Sequence, residues 1–543
     1  MTKMIAARAI GESLLVEGVK HLFGIAGDGN LELLNGIYDT NLRFVSAHHE
    51  QGAAYMAYGY ARARKSLGAC LSMYGPGATN LLSGVAAAYK AQIPLIALTG
   101  KHALPLHPRD GHQQLDEVSI YRPVTKWSVM VTQPTQVPEI MRKACRVALS
   151  DPMGPVHISL PVDLMETEIE FDPWRPEQYR YQREARIDAE AVRATAEKLR
   201  AARNPVIVAG REIIWGNAGA QLVRLAERLG LPVVTTGDSI DAFPTTHPLG
   251  LGPFGTWSGG DAANQVVKDA DLLLIVGVRF DFDLGSVRTP YNTISPKTQI
   301  VQINRHPETI GLLYPVELGA AGSIAVFLQD LLEQVEHLDL PQRTPDLKKL
   351  KADWDAKLNA QLKPEASPIQ LEYAISVIKD AWAKDRILLA DVGNFMSRTR
   401  AHYDTCQPDT FMIVEAFSAL GTVFPTSLGV QMALPGRQVV CLNGDGAFFL
   451  NMAEMETSVR EKLPVKVFIF DDLGYGSVAT RQKKAYAGRI IGTEFKNPNF
   501  ANVAREFGVY GEQIADPHEL PGAVRRVFAH DGPAVLDILT ARE

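Results

Sequence analysis

The 543 residues read as an α/β protein of three doubly wound parallel-sheet domains, and three observations lead there. At about 150 residues per domain, the length asks for three to four units. Short apolar runs, each followed by a helix-length amphipathic pattern, recur along the chain, which is how βαβ units and a parallel sheet look in sequence. The periodicity lapses twice, in the charged, aromatic segment 166–186 and the polar segment 337–368, so we expect domains at 1–170, 188–338 and 368–543.

Element by element, residues 4–22 space Ile5, Ile10, Leu14, Val19 and Leu22 as a helix that runs into a strand at 21–25 and a glycine turn. Buried strands follow at 69–73, 95–99 and 156–160. The second domain shows strands at 205–209, 232–236, 272–276 and 299–303, and the third at 387–390, 439–442, 465–470 and 534–538. No short repeat or low-complexity tract interrupts them.

Composition narrows the class. Apolar residues are 46% and charged residues 21% of the chain, as in globular proteins and unlike disordered ones. With 55 Lys and Arg against 61 Asp and Glu, the net charge of −6 offers no basic field for nucleic acid or anionic lipid, so a small-molecule partner is expected. Cys70, Cys145, Cys406 and Cys441 lie far apart with no CxxC pair, which excludes a zinc ribbon or thioredoxin-type site. No segment reaches 18 uncharged apolar residues, and the N-terminus lacks a signal-peptide run, so a cytoplasmic protein with no membrane association is expected.

Gly444-Asp445-Gly446 stands between a strand and a helical pattern. Glycines there let backbone approach a phosphate at a helix start, and a carboxylate can hold a cation bridging to it. One strand later comes Asp471-Asp472-Leu473-Gly474-Tyr475-Gly476, which would bring Asp445 and Asp472 to the same sheet edge, where open α/β sheets bind ligands. Alone, a Gly-Asp-Gly turn is often structural. In the first domain, His48-His49-Glu50-Gln51-Gly52-Ala53-Ala54 places a carboxylate where a strand gives way to a helix of small residues. Such a Glu is closely packed and suits proton exchange with a nitrogen base, or else complements the helix dipole.

This constellation resembles the thiamine diphosphate enzymes of the acetolactate synthase, pyruvate oxidase and benzoylformate decarboxylase superfamily, over essentially the whole chain. The match rests on His49-Glu50-Gln51-Gly52-Ala53-Ala54, Gly75-Pro76-Gly77-Ala78-Thr79-Asn80, Arg122-Pro123-Val124-Thr125-Lys126, Gly277-Val278-Arg279-Phe280-Asp281 and the two aspartate turns. It implies a pyrimidine-binding first domain, a central domain and a diphosphate-binding third domain. It further implies that Glu50 hydrogen-bonds the aminopyrimidine and promotes the tautomer that removes the thiazolium C2 proton, after which a 2-oxo acid loses CO₂. By the same resemblance, Glu50, Gly75, Asn80, Asn394, Leu420, Gly444, Asp445, Gly446, Gly474 and Tyr475 touch thiamine diphosphate. Asp445, Asp472 and the Gly474 carbonyl hold Mg2+, and Glu50, His112 and Gln113 serve catalysis. Apart from the resemblance, Leu420 reads as a core leucine, and His112 reads equally as a solvent-facing histidine beside His102 and His107.

The implied activity is decarboxylation of a 2-oxo acid with carboligation to an aldehyde or a second 2-oxo acid, a lyase or transferase like the acetolactate synthases. A non-ligating decarboxylase of the benzoylformate type and a CoA-dependent 2-hydroxyacyl lyase stand as alternatives. A homodimer or homotetramer is implied, because in this family the two halves of one site come from different subunits. Three positions depart from the family pattern: Asp472 where Asn is usual, His112-Gln113-Gln114 for Phe-Gln-Glu, and Gly24-Ile25-Ala26-Gly27-Asp28 for an Ile-Pro-Gly turn. FAD, which some relatives bind, is not favoured, since no GxGxxG follows the strand at 205–209.

Overall fold

A computed structural model describes residues 2–107, 109–181, 184–255, 259–279, 294–336, 346–414 and 416–542. The first unit opens with strand β1 (Thr2–Ile5), followed by β2 (His21–Gly24), β3 (Arg43–Ser46), β4 (Gly68–Ser72), β5 (Leu95–Lys101), β6 (Trp127–Met130), β7 (Pro155–Pro161) and β8 (Glu168–Phe171). Strands β2 to β7 form a parallel sheet in the order β3-β2-β4-β5-β7-β6. Its central strands β4, β5 and β7 are buried throughout, because helices cover both faces.

The middle unit contains β9 (Pro205–Ala209), β10 (Val233–Thr235), β11 (Gly250–Pro253), β12 (Leu272–Val276), β13 (Gln299–Asn304) and β14 (Leu318–Ala321), ordered β11-β10-β9-β12-β13-β14. The third contains β15 (Ile387–Ala390), β16 (Phe411–Met412), β17 (Val439–Gly444), β18 (Lys466–Asp471), β19 (Tyr510–Ile514) and β20 (Ala534–Leu539), ordered β16-β15-β17-β18-β20-β19. All pairings in both sheets are parallel. The first and third sheets therefore share one winding. In each, the chain pairs its first two strands, crosses back to the other side, and inserts its last strand between the two preceding ones.

These two units pack through the helices Glu50–Arg64 and Val423–Ala433, both buried over nearly their whole length. Glycine makes the close approach possible from each side. A Cβ on Gly59 would stand 2.2 Å from the Thr426 carbonyl, and one on Gly429 would stand 1.9 Å from the Met56 carbonyl. Apolar side chains of both units, including Tyr55, Leu81, Phe424 and Leu428, join in one core across this contact.

Two expectations need correction. The helix expected over 4–22 covers only Ala6–Val16, because Thr2–Ile5 is a strand paired antiparallel with β8, from Thr2 with Phe171 to Ile5 with Glu168. That partner lies in the segment read as linker. Its Glu-Ile-Glu-Phe alternation buries Ile169 and Phe171 while Glu168 and Glu170 face water, and the outward charge concealed a strand. Likewise the polar segment 337–368 holds the helix Leu347–Asn359, capped by the Asp346 side chain accepting from the Lys349 N–H. Its first part, 337–345, lies outside the described residues, as do Phe280 and Asp281 of the central-domain motif.

Candidate active site

In the third sheet the winding reverses between β15 and β17, so the loops after these strands diverge and leave a crevice at their carboxyl ends. A cleft of about 450 Å3 occupies that place. Asn394, Leu420, Gly444 and Asp445 line it, with Gly446, Asp472, Gly474 and Tyr475 completing the wall. Every third-unit residue singled out in the sequence therefore meets in one cleft. Leu420 is half-buried at the surface of this cleft and is not a core residue.

Asp391, the residue after β15, is buried and organises the rim. Its Oδ1 accepts the N–H groups of Val392 (2.7 Å) and Gly421 (3.3 Å), and its Oδ2 accepts that of Val423 (3.1 Å), which ties the Leu420 loop to the strand end. Burial raises its carboxyl to about 6. Asn394 begins the helix Asn394–His402, and its buried Nδ2 has no hydrogen-bond partner. An unsatisfied donor in a cleft beside a helix N-terminus fits an anionic group such as a phosphate.

Asp445 opens the helix Asp445–Asn451 directly after β17. Its Oδ2 accepts from the Gly474 N–H (2.8 Å) and from Asn497 Nδ2 (2.6 Å), while the same Asn497 amide reaches Asp471 Oδ1 (2.7 Å). Burial, with Asp471 and Asp472 beside it, raises Asp445 to about 7. Concentrated negative charge of this kind is what a cation relieves. Among the described residues no group of three or more His, Cys, Asp and Glu could hold a metal ion by itself. Asp445, Asp472 and Gly474 line one wall of the cleft, and carboxylates beside a backbone carbonyl are the donor types that suit a hard divalent ion completed by phosphate oxygens. The turn is tight: a Cβ on Gly474 would lie 1.9 Å from the Thr493 carbonyl, and one on Gly476 would overlap the Asp472 carboxylate. Sequence reading missed Asn497 and Asp391, since neither belongs to the glycine turns that drew attention.

The first-unit residues occupy a different edge and do not line this cleft. Glu50 starts the helix Glu50–Arg64 and is 8% exposed. Its Oε2 accepts from Asn80 Nδ2 at 3.0 Å, and Gly77 leaves room for Oε1, which would be 3.1 Å from a Cβ there. Gly75, at φ +59°, precedes the helix Pro76–Lys90 that carries Asn80. Gln113 is exposed, and its carbonyl would be 2.2 Å from a Cβ on Gly75. His112 is also exposed; its carbonyl accepts from His102 Nε2 at 2.7 Å, and the His102 ring packs on Tyr74. Glu454, unnoticed in the sequence, reaches over from the third unit to the backbone of His48 and His49, immediately before Glu50.

Comparison with known proteins agrees with this architecture. Residues 4–120 match the N-terminal TPP-binding domain of thiamine pyrophosphate enzymes, residues 192–331 the central domain and residues 391–538 the C-terminal TPP-binding domain. Over its full length the chain is similar to a probable acetolactate synthase large subunit of Methanocaldococcus jannaschii, at 32% identity covering 99% of this chain and 92% of that protein. It is also similar to the acetolactate synthase isozyme 2 large subunit of Escherichia coli (28% identity, 98% and 95% covered) and an acetolactate synthase of Mycobacterium bovis (29%, 100% and 89%). Three matched domains in order and full-length relatives make this chain an enzyme of the thiamine pyrophosphate family.

Proposed function

We propose that this enzyme decarboxylates a 2-oxo acid and joins the resulting carbon nucleophile to the carbonyl of an aldehyde or second 2-oxo acid, as an acetolactate synthase does. The observation that carries the reading is the meeting of Asn394, Leu420, Asp445 and Asp472 in one switch-point cleft, with Glu50 held by Asn80 on the corresponding end of a sheet of the same winding. Thiamine diphosphate, when bound, supplies the nucleophilic carbon and the electron sink for loss of CO₂.

The chain's own residues do the rest. Asn394 donates to the diphosphate through its free amide, together with the N–H groups at its helix start. Asp445, Asp472 and the Gly474 carbonyl would hold Mg2+, whose charge would offset that of the diphosphate. Leu420 gives the cofactor an apolar wall. Glu50 exchanges a proton with the pyrimidine nitrogen at its carboxylate, which Asn80 keeps in place. His112 and Gln113, exposed on the loop over Gly75, face the substrate.

Because Glu50 lies outside the cleft of its own chain, we infer that a second copy completes each site, in a homodimer or homotetramer. Leu450, Leu473, Val478 and Ile491 are exposed on the segments around the cleft, as a surface covered by a second copy would be. In the middle unit, Glu212 is half-buried where β9 and β12 end, accepts the Arg305 N–H at 2.7 Å, and is raised to about 7 by desolvation. We read this unit as a scaffold without FAD, since no GxGxxG follows β9. No helix among the described residues is long and apolar enough to cross a membrane, and we place the enzyme in the cytoplasm.

The test is NMR product analysis with thiamine diphosphate and Mg2+, supplying pyruvate, glyoxylate and benzoylformate, singly and with benzaldehyde. A new C–C product that is lost in Glu50→Gln supports the reading. Aldehyde alone overturns carboligation, and undiminished turnover in Glu50→Gln overturns the mechanism.

A further inference from the structure

One buried ion pair in the first unit has no part in the reading above. Lys101 is the last residue of β5, and Glu117 opens the short helix Glu117–Tyr121; they are 2% and 1% exposed. Lys101 Nζ donates to Glu117 Oε2 at 2.7 Å and to the Leu115 carbonyl. Together these bonds close the loop 102–116 at its base.

The other carboxylate oxygen points the opposite way. Glu117 Oε1 accepts the Gly75 N–H at 3.2 Å, so the pair grips the residue that precedes the helix Pro76–Lys90. Four residues along the short helix, Tyr121 donates its hydroxyl to the Ala78 carbonyl at 2.6 Å, a second hold on that helix start. Gly75 in turn has the Gln113 carbonyl against it, and one turn inside the helix Asn80 holds Glu50. The loop carrying His112 and Gln113, the Gly75 turn and the Asn80–Glu50 bond are therefore joined through one carboxylate.

A buried ion pair adds little stability over apolar residues of similar size, so stability alone does not account for it. Position does. We propose that Lys101 and Glu117 are a positioning pair, which sets the start of the Pro76–Lys90 helix and with it the Asn80–Glu50 contact, and which fixes the 102–116 loop over Gly75. This rests on the reading of Glu50 given above.

The experiment compares two double variants of the full chain with thiamine diphosphate and Mg2+: Lys101→Met with Glu117→Leu, and Lys101→Met with Glu117→Gln. Both remove the charges, but only the second keeps an oxygen to accept the Gly75 N–H. We expect the Gln variant to melt near the wild-type temperature and the Leu variant somewhat lower, because the Gly75 N–H has lost its acceptor, with both folded at the assay temperature. We expect kcat to fall about tenfold to a hundredfold in the Leu variant, as for a displaced catalytic group, and to recover most of that loss in the Gln variant. If the Leu variant does not fold, Glu117→Asp, which keeps the charge but draws the carboxylate back from Gly75, should show the same loss.

Wild-type kcat in the Leu variant, or equal losses in the Leu and Gln variants, overturns the proposal. So does a loss that merely follows melting temperature. Glu50→Gln, measured in parallel, separates the two readings. If it stays active, the role of Glu50 is wrong; if it is dead while the pair variants are unaffected, only the positioning proposal fails.

Discussion

The Glu454 carboxylate, on the third unit, accepts the backbone N–H of His48, on the first, at 3.0 Å. The same oxygen accepts the His49 N–H at 3.2 Å, and Thr457 donates its hydroxyl to the other oxygen at 2.7 Å. One buried side chain thus holds the two residues that lead into Glu50, and it starts from the helix Glu454–Arg460, which follows closely on the cleft helix Asp445–Asn451. Glu454→Ala removes the acceptor of two N–H groups at a partly buried junction, so we expect a loss of about 1–2 kcal/mol in denaturant unfolding, with activity falling as the residues leading into Glu50 loosen. Glu454→Gln keeps an accepting oxygen and should lose less on both counts.

The helix contact between the first and third units admits no added methyl group. Gly429→Ala would drive a Cβ into the Met56 carbonyl, a backbone atom that cannot swing aside. We expect destabilisation of about 1–3 kcal/mol, the usual range for overpacking, seen as a lower melting temperature. An equal change at Gly436, which has nothing within 4 Å of its Cβ position, should leave the melting temperature within about a degree of wild type, since surface substitutions cost about 0.5 kcal/mol or less.

What the sequence disclosed follows the range of the contacts. Gly444-Asp445-Gly446 and Asp472-Leu473-Gly474 were legible because each is a local strand–turn–helix pattern, and the parallel winding carries both to one cleft without further information. The sheets were legible through their fully apolar central strands, whereas edge strands such as β6 and β16, short or half-exposed, left no such trace. Glu454 and His48 stand 406 residues apart, and no periodicity in either segment announces the bond between them. Nothing in the sequence around Lys101 and Glu117 distinguishes them from surface charges, since only the fold buries them. Asn394 owed its place to family resemblance, and its free amide became visible only in three dimensions.

His157 gives the first unit a dependence on pH. It is buried between Thr99 Oγ1 (2.9 Å) and Ser128 Oγ (2.8 Å), its ring stacked on Tyr121 at 4.0 Å, and burial lowers it to about 3. In the unfolded chain the same imidazole takes a proton near pH 6.5. As pH falls below 6.5 the unfolded state binds the proton first, so stability is full above that value and declines steadily towards pH 3. At about 1.4 kcal/mol per pH unit the total is about 4–5 kcal/mol. Asp391, Asp445 and Glu212, raised by burial, act in the opposite direction over the same range but equally in wild type and variant, so the slope should appear in the difference in denaturant stability between wild type and His157→Asn across pH 4–7.

On the proposed function, the oxygen donors of Asp445, Asp472 and Gly474 make cofactor and cation mutually dependent. Two carboxylates and one carbonyl would leave about half of an octahedral Mg2+ open for phosphate oxygens, so neither Mg2+ nor thiamine diphosphate should bind well alone. A ligand that binds only the folded protein stabilises it by about 2.7 kcal/mol at a hundred times its dissociation constant. Thermal unfolding should therefore rise by several degrees with both present, rise little with either one, and return to the starting value on adding a chelator. Asp445→Asn keeps an oxygen for the Gly474 and Asn497 donors but removes one of the charges that attract the cation. We expect its melting temperature without ligands to match or exceed wild type, because a buried charge beside Asp471 and Asp472 is gone, while the joint shift from Mg2+ and thiamine diphosphate disappears. A full joint shift in Asp445→Asn would remove the cation from this cleft.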